Sequence, residues 1–182
     1  MPTPEFILSL RQKVGHESLW LAGCKAVVFR EVPEEGAGTV REVLLARRSD
    51  NGQWSVPAGI IEPGEEPADT AVREVLEECG VHARPVRVAG VGTTPHVTYP
   101  NGDQAQYLDV VLVLEHVDGQ ANVGDEENLE VGWFRIAPED QTPQMPDGHR
   151  RALRWALETE PGADNADHAT GARFLFDGTE HH

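Results

Sequence analysis

Residues Gly59–Val81 read GIIEPGEEPADTAVREVLEECGV. Pro63-Gly64 is a turn signal. Pro67 suits the first turn of a helix, where its missing N–H costs nothing. Glu65, Glu66 and Asp69 suit the positive end of the helix dipole. At about 100° per residue, Ala68, Ala71, Val72, Val75, Leu76 and Cys79 fall on one side of that helix. Arg73, Glu74, Glu77 and Glu78 fall on the other. Gly80 then ends the helix as a residue suited to a left-handed backbone. The stretch reads as loop, helix and loop.

Three carboxylates, those of Glu74, Glu77 and Glu78, therefore share a narrow arc, where like charges repel. A hard divalent cation relieves this. Mg²⁺ prefers oxygen ligands and is often held by a few carboxylates plus substrate phosphates. A solvated acidic face is the plain alternative for a run of charge. It leaves unexplained the glycine- and proline-bearing loop, Gly59 to Gly64, set directly before the helix.

These residues together resemble the Nudix box, G-x5-E-x7-R-E-U-x-E-E-x-G-U, with U a bulky aliphatic residue. Gly59, Glu65, Arg73, Glu74, Val75, Glu77, Glu78, Gly80 and Val81 match every specified position. The resemblance implies an α/β fold, an α/β/α sandwich around a mixed β-sheet, with the box as its loop–helix–loop. It implies Mg²⁺-dependent hydrolysis of a nucleoside diphosphate linked to another group, with Mn²⁺ as a substitute metal. Glu74, Glu77 and Glu78 are implied as metal ligands, one of them also a candidate base. The Gly59 carbonyl is implied as a further ligand, and Glu65 with Arg73 as a pair holding the loop to the helix. Related sequences often add a glutamate from a later loop. Glu127, in Asp125-Glu126-Glu127, is the first choice and Glu126 the second, beside the reading of a solvated acidic loop.

The chain has 182 residues, enough for one domain with a substantial core. Its hydrophobic content of 39% and charged content of 25% are ordinary for a globular protein. No apolar run has the length of a membrane span, and the N-terminus lacks a cleavage-site pattern. A net charge of −16 argues against a nucleic-acid or anionic-membrane surface. Bound cations can still reverse the field locally for a phosphate-bearing substrate. Cys24 and Cys79 form no C-x-x-C motif and read as reduced core thiols of a cytoplasmic protein.

Taken in order, residues 4–14 read as an amphipathic helix, and 20–30 as a buried strand with a hairpin partner at 40–47. Trp54 reads as core. Residues 84–94, 105–117 and 129–135 read as strands, and 95–103 as a loop. A last helix runs from Asp147 to Glu158. One domain is expected over residues 1–160, with 161–182 a tail that is flexible or docks on a partner subunit. Phe174-Leu175-Phe176 is its apolar cluster and a candidate contact in a homodimer.

The adjacent pair Arg47-Arg48, closing a strand just ahead of the box, is a candidate phosphate contact, with Arg47 taken as the substrate-binding residue, or simply solvated strand-end arginine. Tyr99 and Asp103 are candidates for substrate binding, with Tyr99 placed to stack on a base. His96 and His149 lack ligand spacing. In related sequences a proline about fifteen residues after the box goes with ADP-ribose and a later tyrosine with dinucleoside polyphosphates. Pro95 and Tyr99 supply both. ADP-ribose or a nucleotide sugar is the first substrate expectation. A dinucleoside polyphosphate or a modified nucleoside triphosphate comes next. The alternative is a non-catalytic nucleotide-binding module on the same fold.

Overall fold

The long apolar strand that begins at Leu19 is the axis of the molecule. In a computed structural model that describes residues 3–34, 38–136, 142–159 and 172–174, the elements follow one another as α1 (Glu5–Val14), β1 (Leu19–Glu34), β2 (Gly38–Arg48), β3 (Trp54–Ser55), β4 (Ala58–Ile60), α2 (Pro67–Cys79), β5 (His82–Thr93), β6 (Val97–Thr98), β7 (Gln104–Asp118), β8 (Asn128–Arg135), α3 (Asp147–Glu158) and β9 (Arg173–Phe174). The strands form one mixed sheet. β1 runs parallel to β7 and antiparallel to β2 and β4, and β5 runs antiparallel to β7.

Side-chain alternation along these strands builds two cores. Val27 and Phe29 of β1, Val43 and Leu45 of β2, and Val111 and Val113 of β7 pack with Leu153, Trp155 and Ala156 of α3. Their neighbours Ala26, Val28, Leu44, Ala46, Leu112 and Leu114 pack on the opposite face with Ala71, Val75 and Cys79 of α2. This is the period of two that strand geometry imposes. The result is the expected α/β/α sandwich. A helix as short as α2 is marginal alone. Burial of Val75, worth about 1.5–3 kcal/mol for such a side chain, helps dock it.

The N-terminus of α2 carries Pro67, and Gly80 ends it with φ of 65°. The buried arc is rotated from the one the apolar residues predict. Glu74 and Glu78 are buried, whereas Leu76 is exposed. The loop 119–124 packs across the end of this helix. Its Asn122 and Gly124 amides donate to the carbonyls of Cys79 and Glu78.

Trp54 packs edge-on against Phe134, 4.7 Å between ring centroids. Both cysteines are free and buried. β6 lies within the stretch expected to be loop. The backbone of β9 pairs with Gly90 and Val91 of β5. Residues 160–171 and 175–182, which include Leu175 and Phe176, lie outside the described residues. No helix among the described residues is long and apolar enough to cross a membrane.

Candidate active site

β4 is the hinge of the site. It pairs with the first half of β1, with Cys24 opposite Gly59 and Lys25 opposite Ala58, and it delivers the chain into the loop before α2. Glu78 reaches back to this strand and accepts the Ala58 N–H at 3.3 Å. Glu74 lies over Gly59 so closely that a Cβ there would stand 1.9 Å from Oε1 of Glu74. Gly59 is thus required for close approach of a carboxylate to the backbone.

Arg73 gathers the charges. Its Nε and Nη2 donate to Oε1 and Oε2 of Glu65 at 2.8 and 3.0 Å. Its Nη1 donates to Glu74 at 2.8 Å and to Glu77 at 3.3 Å. Glu65 also accepts from the Thr70 hydroxyl and the Glu62 amide. The Arg73 guanidinium, with those donors, pulls the Glu65 carboxyl down to about 2. Burial pushes Glu78 up to about 8, helped by the charge of Glu74. Burial also raises Glu74, against the pull of Arg73. Glu77 is about half exposed.

Glu127 comes to the same place from the loop before β8. Its carbonyl accepts the Ser49 N–H at 2.7 Å, and its amide donates to Asp125. With Gly59, Glu74, Arg48 and Ser49 it lines a cleft of about 650 Å³. Arg47 does not line this cleft. Its Nε donates to the Gly52 carbonyl and it pairs with Glu130. A shift of register between Arg47 and Arg48 accompanies the placement of Arg48 in the cleft instead. Tyr99 and Asp103 line the same cleft. Asp103 is engaged by His16 at 2.7 Å and by Arg11 at 3.4 Å. The Tyr99 hydroxyl meets that of Tyr107 at 2.6 Å.

The cleft also holds residues that sequence reasoning missed. Lys25 and Asp109 form a buried ion pair at 2.5 Å on neighbouring strands. The signal was present in each strand, a lone charge inside an otherwise apolar run. His149, at the start of α3, is a third. Burial, Lys25 and Arg48 push its imidazole down to about 3.

The donor set for a cation is all oxygen. Among the described residues no three acidic, histidine or cysteine side chains already form a cage for a metal ion. The fit rests on Glu78. Its carboxyl is buried beside Glu74 with one backbone N–H as partner, so its ionised form is disfavoured alone and is the form that a hard cation would stabilise.

The NUDIX domain family model matches residues 26–156. The chain belongs to the Nudix family. Among relatives, a Bacillus subtilis (strain 168) protein named "Putative ADP-ribose pyrophosphatase YjhB" is 30% identical over 124 residues, 68% of this chain and 53% of that one. The NAD-capped RNA hydrolase NudC of Erwinia tasmaniensis is 31% identical over 120 residues, 65% of this chain and 42% of that one. The chain thus spans about half the length of these curated relatives. Among solved structures, an ADP-ribose pyrophosphatase from Streptococcus suis superposes with a TM-score of 0.57 at 22% identity, covering 85% of this chain and 98% of that one. That likeness concerns the Nudix fold, and the Nudix box coincides with Gly59–Val81 as placed above.

Proposed function

We propose that this chain is a Mg²⁺-dependent pyrophosphohydrolase. Its substrate is a nucleoside diphosphate joined to a second group, ADP-ribose or a nucleotide sugar first. The observation that carries this reading is the packing of buried Glu74 and Glu78 against Gly59 and Ala58, with Ala58, Gly59 and Glu74 lining a cleft large enough for such a molecule. Glu74, Glu77, Glu78, Glu127 and the Gly59 carbonyl would hold the metal. Bound Mg²⁺ supplies charge neutralisation at the phosphate oxygens. Arg73 and Glu65 hold the loop and helix in register, so that the carboxylates need not reorganise as substrate arrives. Arg48 lines the cleft, held there by a two-pronged bond to Asp50 at 3.0 and 2.8 Å, and so offers a cation beside the phosphates. A glutamate of the box takes a proton from the attacking water. Relatives named for ADP-ribose and for NAD-capped RNA share the adenosine diphosphate unit, which supports the substrate order given.

The same reading makes residues 1–160 one domain and places the protein in a cytoplasm, with a small nucleotide as ligand and no nucleic-acid or membrane partner. A homodimer is the assembly it allows. The net charge of −16 and the free buried thiols support it. A non-catalytic nucleotide-binding module is the second reading, favoured by the hold of Arg73 on Glu74 and Glu77. The deciding experiment is product release from ADP-ribose, nucleotide sugars, diadenosine tetraphosphate and nucleoside triphosphates, with and without Mg²⁺, for wild type and Glu78→Gln. Mg²⁺-dependent cleavage lost in the variant establishes the enzyme. Tight binding of one compound without turnover of any establishes the binding module.

A further inference from the structure

The cations of the cleft come already matched. All 15 lysines and arginines of the chain lie among the described residues, and of these Lys25 and Arg48 line the cleft. Neither is a bare charge. The Lys25 ammonium donates to Oδ2 of Asp109 at 2.5 Å, with both side chains buried. Arg48 donates through Nε and Nη2 to the two oxygens of Asp50. Both aspartates line the cleft as well. Local structure fixes these partners. Asp109 stands opposite Gly23 in the parallel pairing of β7 with β1, and Asp50 lies in the turn that follows β2.

The other ionised groups of the described lining are the carboxylates of Glu74, Asp103 and Glu127. Arg73 and Arg11, which pair with Glu74 and Asp103, do not line the cleft. His149 lines it as a neutral ring near pH 7, its imidazole pushed down to about 3 by burial, Lys25 and Arg48. The lining thus sets five carboxylates against two cations. Lys25 and Arg48 can still offer N–H donors to an oxygen, but each ion pair presents little net charge. A metal held by the box glutamates would bring positive charge to the phosphates beside it. A further phosphate elsewhere in the cleft meets carboxylates with no cation in surplus, and such like-charge juxtaposition excludes wrong ligands.

We propose that the cleft accepts one diphosphate and rejects additional phosphate groups, with Asp50 and Asp109 as the specificity-determining residues that cancel the charges of Arg48 and Lys25. The substrate class narrows to a diphosphate whose second group is uncharged. A long polyphosphate chain, or a ring bearing several phosphates, is excluded by charge and not by size. This rests on the reading of the cleft as a nucleotide site, but not on turnover.

The test is equilibrium binding by calorimetry to the full chain with Mg²⁺. The probes are AMP, adenosine 2′,5′-bisphosphate and adenosine 3′,5′-bisphosphate. Wild type binds AMP about tenfold or more tighter than either bisphosphate at low ionic strength. Raising the ionic strength about tenfold, which cuts the screening length about threefold, shrinks that ratio. Asp50→Asn and Asp109→Asn keep side-chain size, free one cation each, and lower the ratio. Adding Arg48→Met to Asp50→Asn restores it. Bisphosphates that bind wild type as tightly as AMP overturn the proposal. So does a ratio that neither salt nor the aspartate substitutions change, since shape then sets it. Asp50 is more than half exposed, so its variant remains informative if Asp109→Asn fails to fold. Failure of all three probes to bind sinks the nucleotide reading and this proposal with it. Discrimination by charge without hydrolysis of any diphosphate sinks the enzyme reading and leaves the charge limit standing.

Discussion

A Cβ placed on Gly59 would lie 1.9 Å from Oε1 of Glu74. No rotamer adjustment of a few tenths of an ångström removes such an overlap, and the Glu74 side chain is itself buried. Gly59→Ala is therefore expected to push Glu74 off β4. The cost is that of an overpacked site, about 1–3 kcal/mol, seen as a lower Tm. Turnover falls far more than stability, because the displaced group belongs to the reacting site. Wild-type turnover in Gly59→Ala would mean that Glu74 need not sit there.

Glu78→Gln separates charge from shape. The variant keeps the side-chain volume and replaces a buried carboxyl whose ionised form burial and Glu74 disfavour, with a pKa pushed up to about 8. Without metal, its Tm should be at or above that of wild type. Wild type gains stability on adding Mg²⁺, about 2.7 kcal/mol at a hundredfold excess over Kd, and the variant gains little. It also loses most activity. A variant stabilised by Mg²⁺ as much as wild type would place the metal elsewhere.

Arg73→Ala should lower both Tm and turnover. It removes a two-pronged bond to Glu65 and the contacts to Glu74 and Glu77. The group is part-buried and its hydrogen bonds are charge-assisted, so a loss of roughly 1–3 kcal/mol is expected. Adding Glu65→Gln to Arg73→Ala should recover part of the stability, since it neutralises the stranded partner. Equal melting temperatures for wild type and Arg73→Ala would reduce the pair to a surface contact.

His149 gives a pH signature. Its folded pKa is depressed to about 3 from an ordinary value near 6.5. The unfolded chain thus binds more protons between these values, and stability rises with pH across that window. The contribution is complete above about pH 6.5 and is lost as pH falls toward 3. His149→Gln should lose less Tm than wild type between pH 7.5 and pH 5. Identical losses would show that the ring is solvated.

The fold was legible because apolar patterning and turn chemistry agreed along most of the chain. Pro67, Gly80 and the alternation through Val27, Val28 and Phe29 each point to the element observed. What periodicity could not show was how a helix would be rotated onto the sheet. Counting apolar residues sets Leu76 inward, but the carboxylates of Glu74 and Glu78 are the ones buried, because β4 and Arg73 give them partners. The meeting of Lys25 with Asp109 depends on the parallel pairing of β1 with β7, which joins residues far apart in sequence. Of the pair Arg47-Arg48 it is Arg48 that lines the cleft, and the register shift that separates the two is invisible to a reading that assumes strict alternation.

β1 divides one of its edges between two partners, β2 along residues 29–34 and β4 along 23–25, while β7 holds the other edge. The amides that fasten β4, such as Ala26 to Pro57 and Ile61 to Ala22, are therefore part of the same ladder as the core. Amide hydrogen exchange at Ala26 should follow the global unfolding free energy rather than a local opening. The strand that carries the box glycine would then be among the last parts of the molecule to loosen, and partial unfolding in a cell would spare the site until the whole sheet gives way.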